Sequence, residues 1–317
     1  MIELMDIINA QKVIAGRVHR TPMVSSLTLG QRFGVHLHFK AELFQKTGSF
    51  KPRGAINKLQ SLTPEEKKRG VITISSGNHA QGLAYAASLF NIPTTVVMPG
   101  YSFSSKINAA KGFGAEVIIT EEDLLNTCLE IQKERNLVMV HPFDDPYIVA
   151  GQGTIGLEIL EDLPEADVVI VAVGGGGLIS GIAAAVKMKK PEVKIIGVEP
   201  EGAPGMWQSL RLDKAVHLDR VDTIADGLAA PFAGELNFEL VKKYVDELVL
   251  LSDDEFIEPI CLILERTKLL TEPAGAASFA ALFHNKIRIP QDSKVVCVLS
   301  GGNIDRDRLA RFLSRSS

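Results

Sequence analysis

The run Asp167-Val168-Val169-Ile170-Val171-Ala172-Val173 leads into Gly174-Gly175-Gly176-Gly177 and then into an apolar stretch from Leu178 to Val186. A segment this continuously apolar reads as a strand buried on both faces, as in a parallel sheet. The glycines end it, and the small apolar residues after them read as a buried helix. This is also the most apolar window of the chain, and glycines through its middle favour strand, turn and helix over a membrane span. Strand, glycine turn and helix in that order put successive backbone N–H groups and the positive end of a helix at one point. That makes an anion site without a basic side chain. Side chains would keep a phosphate from reaching the backbone, so glycine suits the position, although tight strand-to-helix packing produces such turns too. A dinucleotide fingerprint is disfavoured: Gly174 and Gly176 could open GxGxxG, but its third glycine would fall on Ile179.

The same order recurs on either side. Val71-Ile72-Thr73-Ile74 ends at Ser75-Ser76-Gly77-Asn78, ahead of a helical pattern through Ala80, Leu83, Ala84 and Ala87. The strand pattern at 94–98 stops at Pro99-Gly100, with a helix expected from about Ser104. Glu116-Val117-Ile118-Ile119 precedes a helical pattern through Leu124, Cys128 and Ile131, and a strand is expected at 137–140. Alternation at this spacing is that of βαβ units, so the fold class is α/β with parallel sheets covered on both faces. A helix over 148–160 restarts the pattern, and 194–198 and 295–299 read as partners of the strand at 167–173. The residues alone suggest two consecutive α/β modules.

With 317 residues, 46% hydrophobic and 23% charged, the chain has the make-up of a soluble globular protein large enough for one or two domains. A net charge of -4 gives no polybasic surface for nucleic acid or a membrane. Cys128, Cys261 and Cys297 are far apart, odd in number and form no CxxC. They read as reduced core thiols of a cytoplasmic protein, with neither a metal cluster nor a disulfide framework. Residues 1–13 include Glu3 and Asp6 and lack the basic region of a signal peptide.

The chemistry is concentrated in Gly48-Ser49-Phe50-Lys51-Pro52-Arg53-Gly54. An imine-forming lysine needs an apolar pocket or a neighbouring cation to lower its pKa, and Phe50 and Arg53 are expected to supply these to Lys51. Ser75-Ser76-Gly77-Asn78-His79 lies at a strand-to-helix turn, where Ser and Asn also serve as plain N-caps. One lysine among glycines, with three turn-forming clusters each after an apolar strand, suggests an amine that reaches a phosphorylated cofactor.

From Arg20 to Ser300-Gly301-Gly302-Asn303 this ordered set resembles the β-family of pyridoxal-phosphate enzymes, fold type II, and within it the threonine/serine dehydratase and serine racemase branch. The resemblance implies a tryptophan synthase β-like architecture. A small domain over 70–147 is inserted into a large cofactor-binding domain made of 1–69 and 148–317. It implies pyridoxal 5'-phosphate joined to Lys51 as an imine, Phe50 against its ring, and its phosphate on Gly174, Gly175, Gly176, Gly177 and the start of the helix at Leu178. Asn78 would hydrogen-bond the phenolic oxygen, Ser300 would partner the pyridine nitrogen, and Glu272, in Glu272-Pro273-Ala274-Gly275, would lie near the ring. Asp226-Gly227 matches another segment near the site, and His141-Pro142-Phe143-Asp144 reads as a hinge turn between the domains. Ser75, Ser76, Gly77, Asn78 and His79 would hold the substrate carboxylate. A serine at the pyridine nitrogen, unlike an aspartate, leaves the ring a weaker electron sink. That disfavours transamination and spares β-elimination, where charge arising at Cα leaves with the β-substituent.

The expected activity is therefore dehydration of L-threonine, L-serine or a related β-hydroxy amino acid to a 2-oxo acid and ammonia, with Lys51 as the base. Racemisation remains open, with Ser76 as the opposed acid/base, as does a non-enzymatic phosphate-binding protein with an inert Lys51. Racemase-like members hold a divalent cation with an acid at Glu199, the carbonyl of Ala203 and a second acid two residues on. Here that last position is Gly205, so no such metal site is expected. The family also implies a homodimer or homotetramer. For a chain that stops soon after Asn303, it implies no C-terminal regulatory domain.

Overall fold

The computed structural model describes residues 2–75, 77–100, 102 and 104–315. The strands are β1 (Met23–Ser25), β2 (His36–Ala41), β3 (Val71–Ile74), β4 (Thr94–Pro99), β5 (Glu116–Thr120), β6 (Val138–Met139), β7 (Val168–Ala172), β8 (Lys194–Pro200), β9 (Glu247–Leu251) and β10 (Lys294–Leu299). They form a six-stranded sheet in the order β1-β2-β10-β7-β8-β9 and a four-stranded sheet in the order β5-β4-β3-β6. Every pair is parallel except β1 with β2. The larger sheet takes strands from both sides of the segment that builds the smaller one, unlike the consecutive order that the residues alone suggest.

Strands buried on both faces explain the runs of apolar residues. In β7, Val168, Ile170 and Ala172 enter the core on one face, whereas Val169 and Val171 enter the core on the other. β10 does the same, with Val295, Cys297 and Leu299 opposite Val296 and Val298. Side chains alternate along a strand, so one continuous run feeds two cores. The helix Pro273–Phe283 fills the first face, and Gly177–Lys189 and Glu235–Tyr244 fill the second. The strands β1, β2 and β9 went unread in the sequence. β1 has three residues, and β9 is only half-buried over most of its length. β2 (His36-Leu37-His38-Phe39-Lys40-Ala41) carries polar groups that mask its pattern.

The site follows from this topology. Ser75 and Ser300 come directly after β3 and β10, and Gly174 follows β7 with Val173 between, so all three lie at the carboxyl ends of strands. In parallel α/β sheets these ends form the crevice where ligands bind.

Candidate active site

Lys51 begins the helix Lys51–Ser61, with Pro52 in its first turn. The preceding turn uses positive φ at Thr47 and Gly48 (67° and 71°), and a Cβ at Gly48 would meet Asn303 Oδ1 at 2.4 Å. Phe50 N donates to Ser300 O at 3.1 Å, tying the lysine's turn to the end of β10. Lys51 is half-buried in the wall of a cavity of about 830 Å³. Phe50, Ser75, Gly77, Asn78, His79, Gly174, Gly175, Gly176, Gly177, Leu178, Glu272 and Ser300 line the same cavity, so the described site residues from five distant segments meet in one place. Ser76 lies outside the described residues.

The helix after the glycine turn runs Gly177–Lys189, starting one residue before Leu178, and Gly176 precedes it with φ 95°. A Cβ at Gly175 would come within 2.3 Å of the Phe143 ring, and one at Gly177 within 2.8 Å of the Phe143 carbonyl. Outside the regular ladders, no described carbonyl takes up the amides of Gly174, Gly175, Gly176, Gly177 or Leu178. Consecutive donors at a helix N-terminus are suited to a phosphate. The carbonyl side of the turn is fixed instead: Gly175 O accepts from Asn237 Nδ2 at 3.0 Å and from Gly234 N at 3.2 Å.

Lys51 Nζ donates to Pro142 O at 3.0 Å and stands 5.1 Å from the centre of the Phe50 ring. Among the described residues no carboxylate pairs with it. Burial of its ammonium pushes its pKa down to about 8, opposed by the charge of Glu272. Glu272 is itself pushed up to about 7 by burial, against the pull of Lys106 and of Asn78, whose Nδ2 donates to Glu272 Oε1 at 2.5 Å. Asn303 Nδ2 donates to Asn78 Oδ1 at 2.8 Å, which orients the Asn78 amide and leaves one N–H free for a ligand. Ser300 is buried, with its hydroxyl 3.4 Å from Ala274 O.

Arg53 does not act on Lys51, contrary to the expectation from its position. Residues two apart on a helix point to different faces, and Arg53 is turned into the core. There it donates to Glu42 at 2.8 Å through both Nε and Nη2, to Glu158 at 2.6 and 2.9 Å, and to Thr154 at 3.1 Å. Lys51 owes its lowered pKa to burial alone. Asn237, Phe143 and the Pro142 carbonyl carry no local signal for their place in the site, because only the tertiary fold brings them to it. Lys106, on the helix Ser104–Gly112, also lines the cavity and reaches Asp226 Oδ2 at 3.2 Å, where Arg308 joins from the C-terminal helix at 3.0 Å. The segment 141–144 lies between β6 and the helix Pro146–Asp162, and its residues His141, Pro142 and Phe143 line the cavity with the glycine turn.

Glu199, at the end of β8, accepts from Met206 N at 2.8 Å and Trp207 N at 2.7 Å, so it caps the helix Gly205–Leu212. Burial pushes its pKa up to about 8 against those two bonds. Among the described residues no three His, Cys, Asp or Glu side chains gather as a metal cluster, and no helix is long and apolar enough to cross a membrane.

A family model described as pyridoxal-phosphate dependent enzyme matches residues 14–301. The chain is 48% identical to an L-threonine ammonia-lyase of Thermotoga maritima, over 99% of its own length and 79% of that protein's. It is 42% identical to a catabolic L-threonine dehydratase of Escherichia coli, over 97% of this chain and 94% of that one. Maize serine racemase superposes with a TM-score of 0.93 at 37% identity, covering 99% of this chain and 97% of that one. The processed threonine deaminase isoform 2 of Solanum lycopersicum superposes with a TM-score of 0.91 at 36% identity, covering 98% and 91%. The residues here fit such a cofactor: a lysine of lowered pKa and a turn whose amides are unspent line one cavity, and side chains at Gly175 and Gly177 would collide with Phe143.

Proposed function

The chain belongs to the pyridoxal-phosphate-dependent enzymes, and on that premise we propose that it dehydrates L-threonine, L-serine or a related β-hydroxy amino acid to a 2-oxo acid and ammonia. The observation that carries the reading is Lys51, a lysine with no carboxylate partner among the described residues. Its pKa of about 8 lets a useful fraction be neutral near pH 7, in the same cavity as the glycine turn. Pyridoxal phosphate, when bound, carries the substrate amine and draws electrons from Cα. The amides of Gly174, Gly175, Gly176, Gly177 and Leu178 would hold its phosphate, with Phe50, Asn78, Glu272 and Ser300 around its ring. Ser75, Ser76, Gly77, Asn78 and His79 would hold the substrate carboxylate at the start of the helix Asn78–Phe90. Lys51 Nζ takes the α-proton: the Cα–H bond breaks, an N–H bond forms, and the electron pair expels the β-hydroxyl, which leaves as water with a proton drawn from solvent. A water molecule then hydrolyses the released enamine to the 2-oxo acid and ammonia, and Lys51 returns its proton to solvent. The hydroxyl of Ser300 supports elimination over transamination, because it offers no anion to keep a pyridine nitrogen protonated.

Racemisation is the second reading, favoured by the likeness to maize serine racemase, and it would use Ser76 opposite Lys51. Sheet membership supports reading 70–147 as a small domain within a large one of 1–69 and 148–317. A cytoplasmic homodimer or homotetramer completes the proposal. The test gives purified holoprotein L-threonine and L-serine separately and follows 2-oxo acid and D-enantiomer. Rapid 2-oxo acid with little D-product supports the dehydratase. D-serine without oxo acid makes it a racemase, and silence on both refutes both activities for these two substrates.

A further inference from the structure

Three hydrogen-bond acceptors belong to residues that line one cavity with Lys51, and one of them is bonded to it. Pro142 O accepts from Nζ at 3.0 Å. His79 is the second. It stands three residues before Gly82 on the helix Asn78–Phe90, so the two share a face. Gly82 packs directly on the lysine, where an added Cβ would lie 2.8 Å from Lys51 Cβ. The His79 ring is 3% exposed and lines the cavity, and its Nε2 has no hydrogen-bond partner among the described residues. A backbone bond at Val140 engages the ring's other nitrogen, and burial, helped by the charge of Lys51, keeps the imidazole neutral. Nε2 therefore presents a lone pair.

Gln152, on the helix Pro146–Asp162, is the third. Its side chain rests against Gly54, three residues beyond Lys51 and on the same helix face. An added Cβ at Gly54 would meet Gln152 Nε2 at 2.5 Å. Gln152 is 1% exposed and lines the same cavity, and its Oε1 also has no partner. Buried acceptors without donors are costly, and two on residues lining the cavity of Lys51 call for a donor that arrives.

We propose that Pro142 O, His79 Nε2 and Gln152 Oε1 form a receiving pocket for the ε-ammonium of Lys51 once it has taken the substrate's α-proton, with His79 and Gln152 as positioning residues. The inference rests on the reading of Lys51 as the base. An ammonium has three N–H donors and no acceptor, which matches three acceptors and no carboxylate. The other titratable groups facing Lys51 are Glu272, at the start of the helix Pro273–Phe283, and His141 in the loop before residue 146. Arg53, on its own helix, is turned away to Glu42 and Glu158.

The variants are His79→Phe and Gln152→Met, which each remove an acceptor, and Gln152→Glu, which adds charge. Two readouts are taken: the pH dependence of kcat for L-threonine in the holoenzyme, and the pH dependence of amine-specific labelling of Lys51 in cofactor-free protein, quantified by mass spectrometry. Losing an acceptor disfavours the ammonium. Both midpoints should then move to lower pH by about half a unit to one unit in His79→Phe and Gln152→Met, and to higher pH in Gln152→Glu. In Gln152→Met KM should change less than about twofold, and in the two variants that remove an acceptor the melting temperature should not fall, as expected when an unpaired acceptor is lost. Midpoints that stay at the wild-type value in all three variants overturn the pocket, as does a fall in melting temperature without a shift. If wild type turns over no hydroxy amino acid, the dehydratase reading fails separately, and the labelling profile still decides the pocket.

Discussion

Lys51 and Arg53 are two residues apart on one helix and live in opposite electrostatic worlds. Arg53 is fully buried, and Glu42 and Glu158 hold its charge firmly in place, raising its pKa further despite its burial. The ion pairs continue through Lys40, which reaches Glu158 at 2.7 Å and Asp162 at 3.5 Å, to Arg20 beside Asp162. This network clamps the start of the helix Lys51–Ser61 between β2 and the helix Pro146–Asp162. Lys51 faces the cavity, bonded to a carbonyl, and burial lowers its pKa to about 8. A cation with matched carboxylates is an anchor and stays charged. A lysine denied a carboxylate becomes a nucleophile and base. The helix separates the two roles by pointing them to different faces.

Replacing each side in turn should break the comparison in different ways. Lys51→Ala should lower turnover of L-threonine by at least about 10³-fold and remove the visible absorbance of the lysine-bound cofactor, with little change in melting temperature. Steady-state assay and absorbance check this. Arg53→Met should do the reverse. It leaves Glu42 and Glu158 buried without their partner, so urea unfolding should show a loss of about 3–5 kcal/mol, with the cofactor absorbance kept in the folded fraction.

The third difference is one of pH. Between the folded pKa of Lys51, about 8, and its ordinary value of 10.5, the unfolded chain holds a proton that the native chain has lost. Stability of the cofactor-free protein from this group should rise across that window, and Lys51→Met should flatten the rise. Glu272 works in the opposite sense. Its carboxyl keeps a proton up to about 7 in the fold but only to 4.5 when unfolded, so its contribution falls as pH climbs from 4.5 to about 7. Glu272→Gln should remove that fall and, by taking away the one charge that raises the pKa of Lys51, move the acid limb of kcat a few tenths of a unit to lower pH. Urea titrations at several pH values and a kcat profile read both effects.

Some of this was legible in the sequence because it is local. A strand ending in four glycines, or Lys51 in its glycine-bounded turn, needs only neighbours along the chain to be read. The opposite outcome at Arg53 is explained by helical phase: sequence adjacency to Lys51 suggested a neighbouring cation, and the helix turned it away. Glu42 and Glu158, which claim Arg53, lie 11 and 105 residues from it. Asn237 supports the glycine turn across 62 residues. Separations of that order leave no periodicity to detect. The buried acceptors of His79 and Gln152 were also invisible, since an unpaired atom is a property of packing.

The claim that the reactive lysine is the one kept from a carboxylate is tested most directly by borohydride reduction of the holoprotein, digestion and mass spectrometry. Two lysines line the described cavity wall: Lys51, bonded to Pro142 O, and Lys106, paired with Asp226 at 3.2 Å. The account predicts the reduced cofactor on the peptide carrying Lys51 and none on the peptide carrying Lys106. Label on Lys106, or on neither, would contradict it.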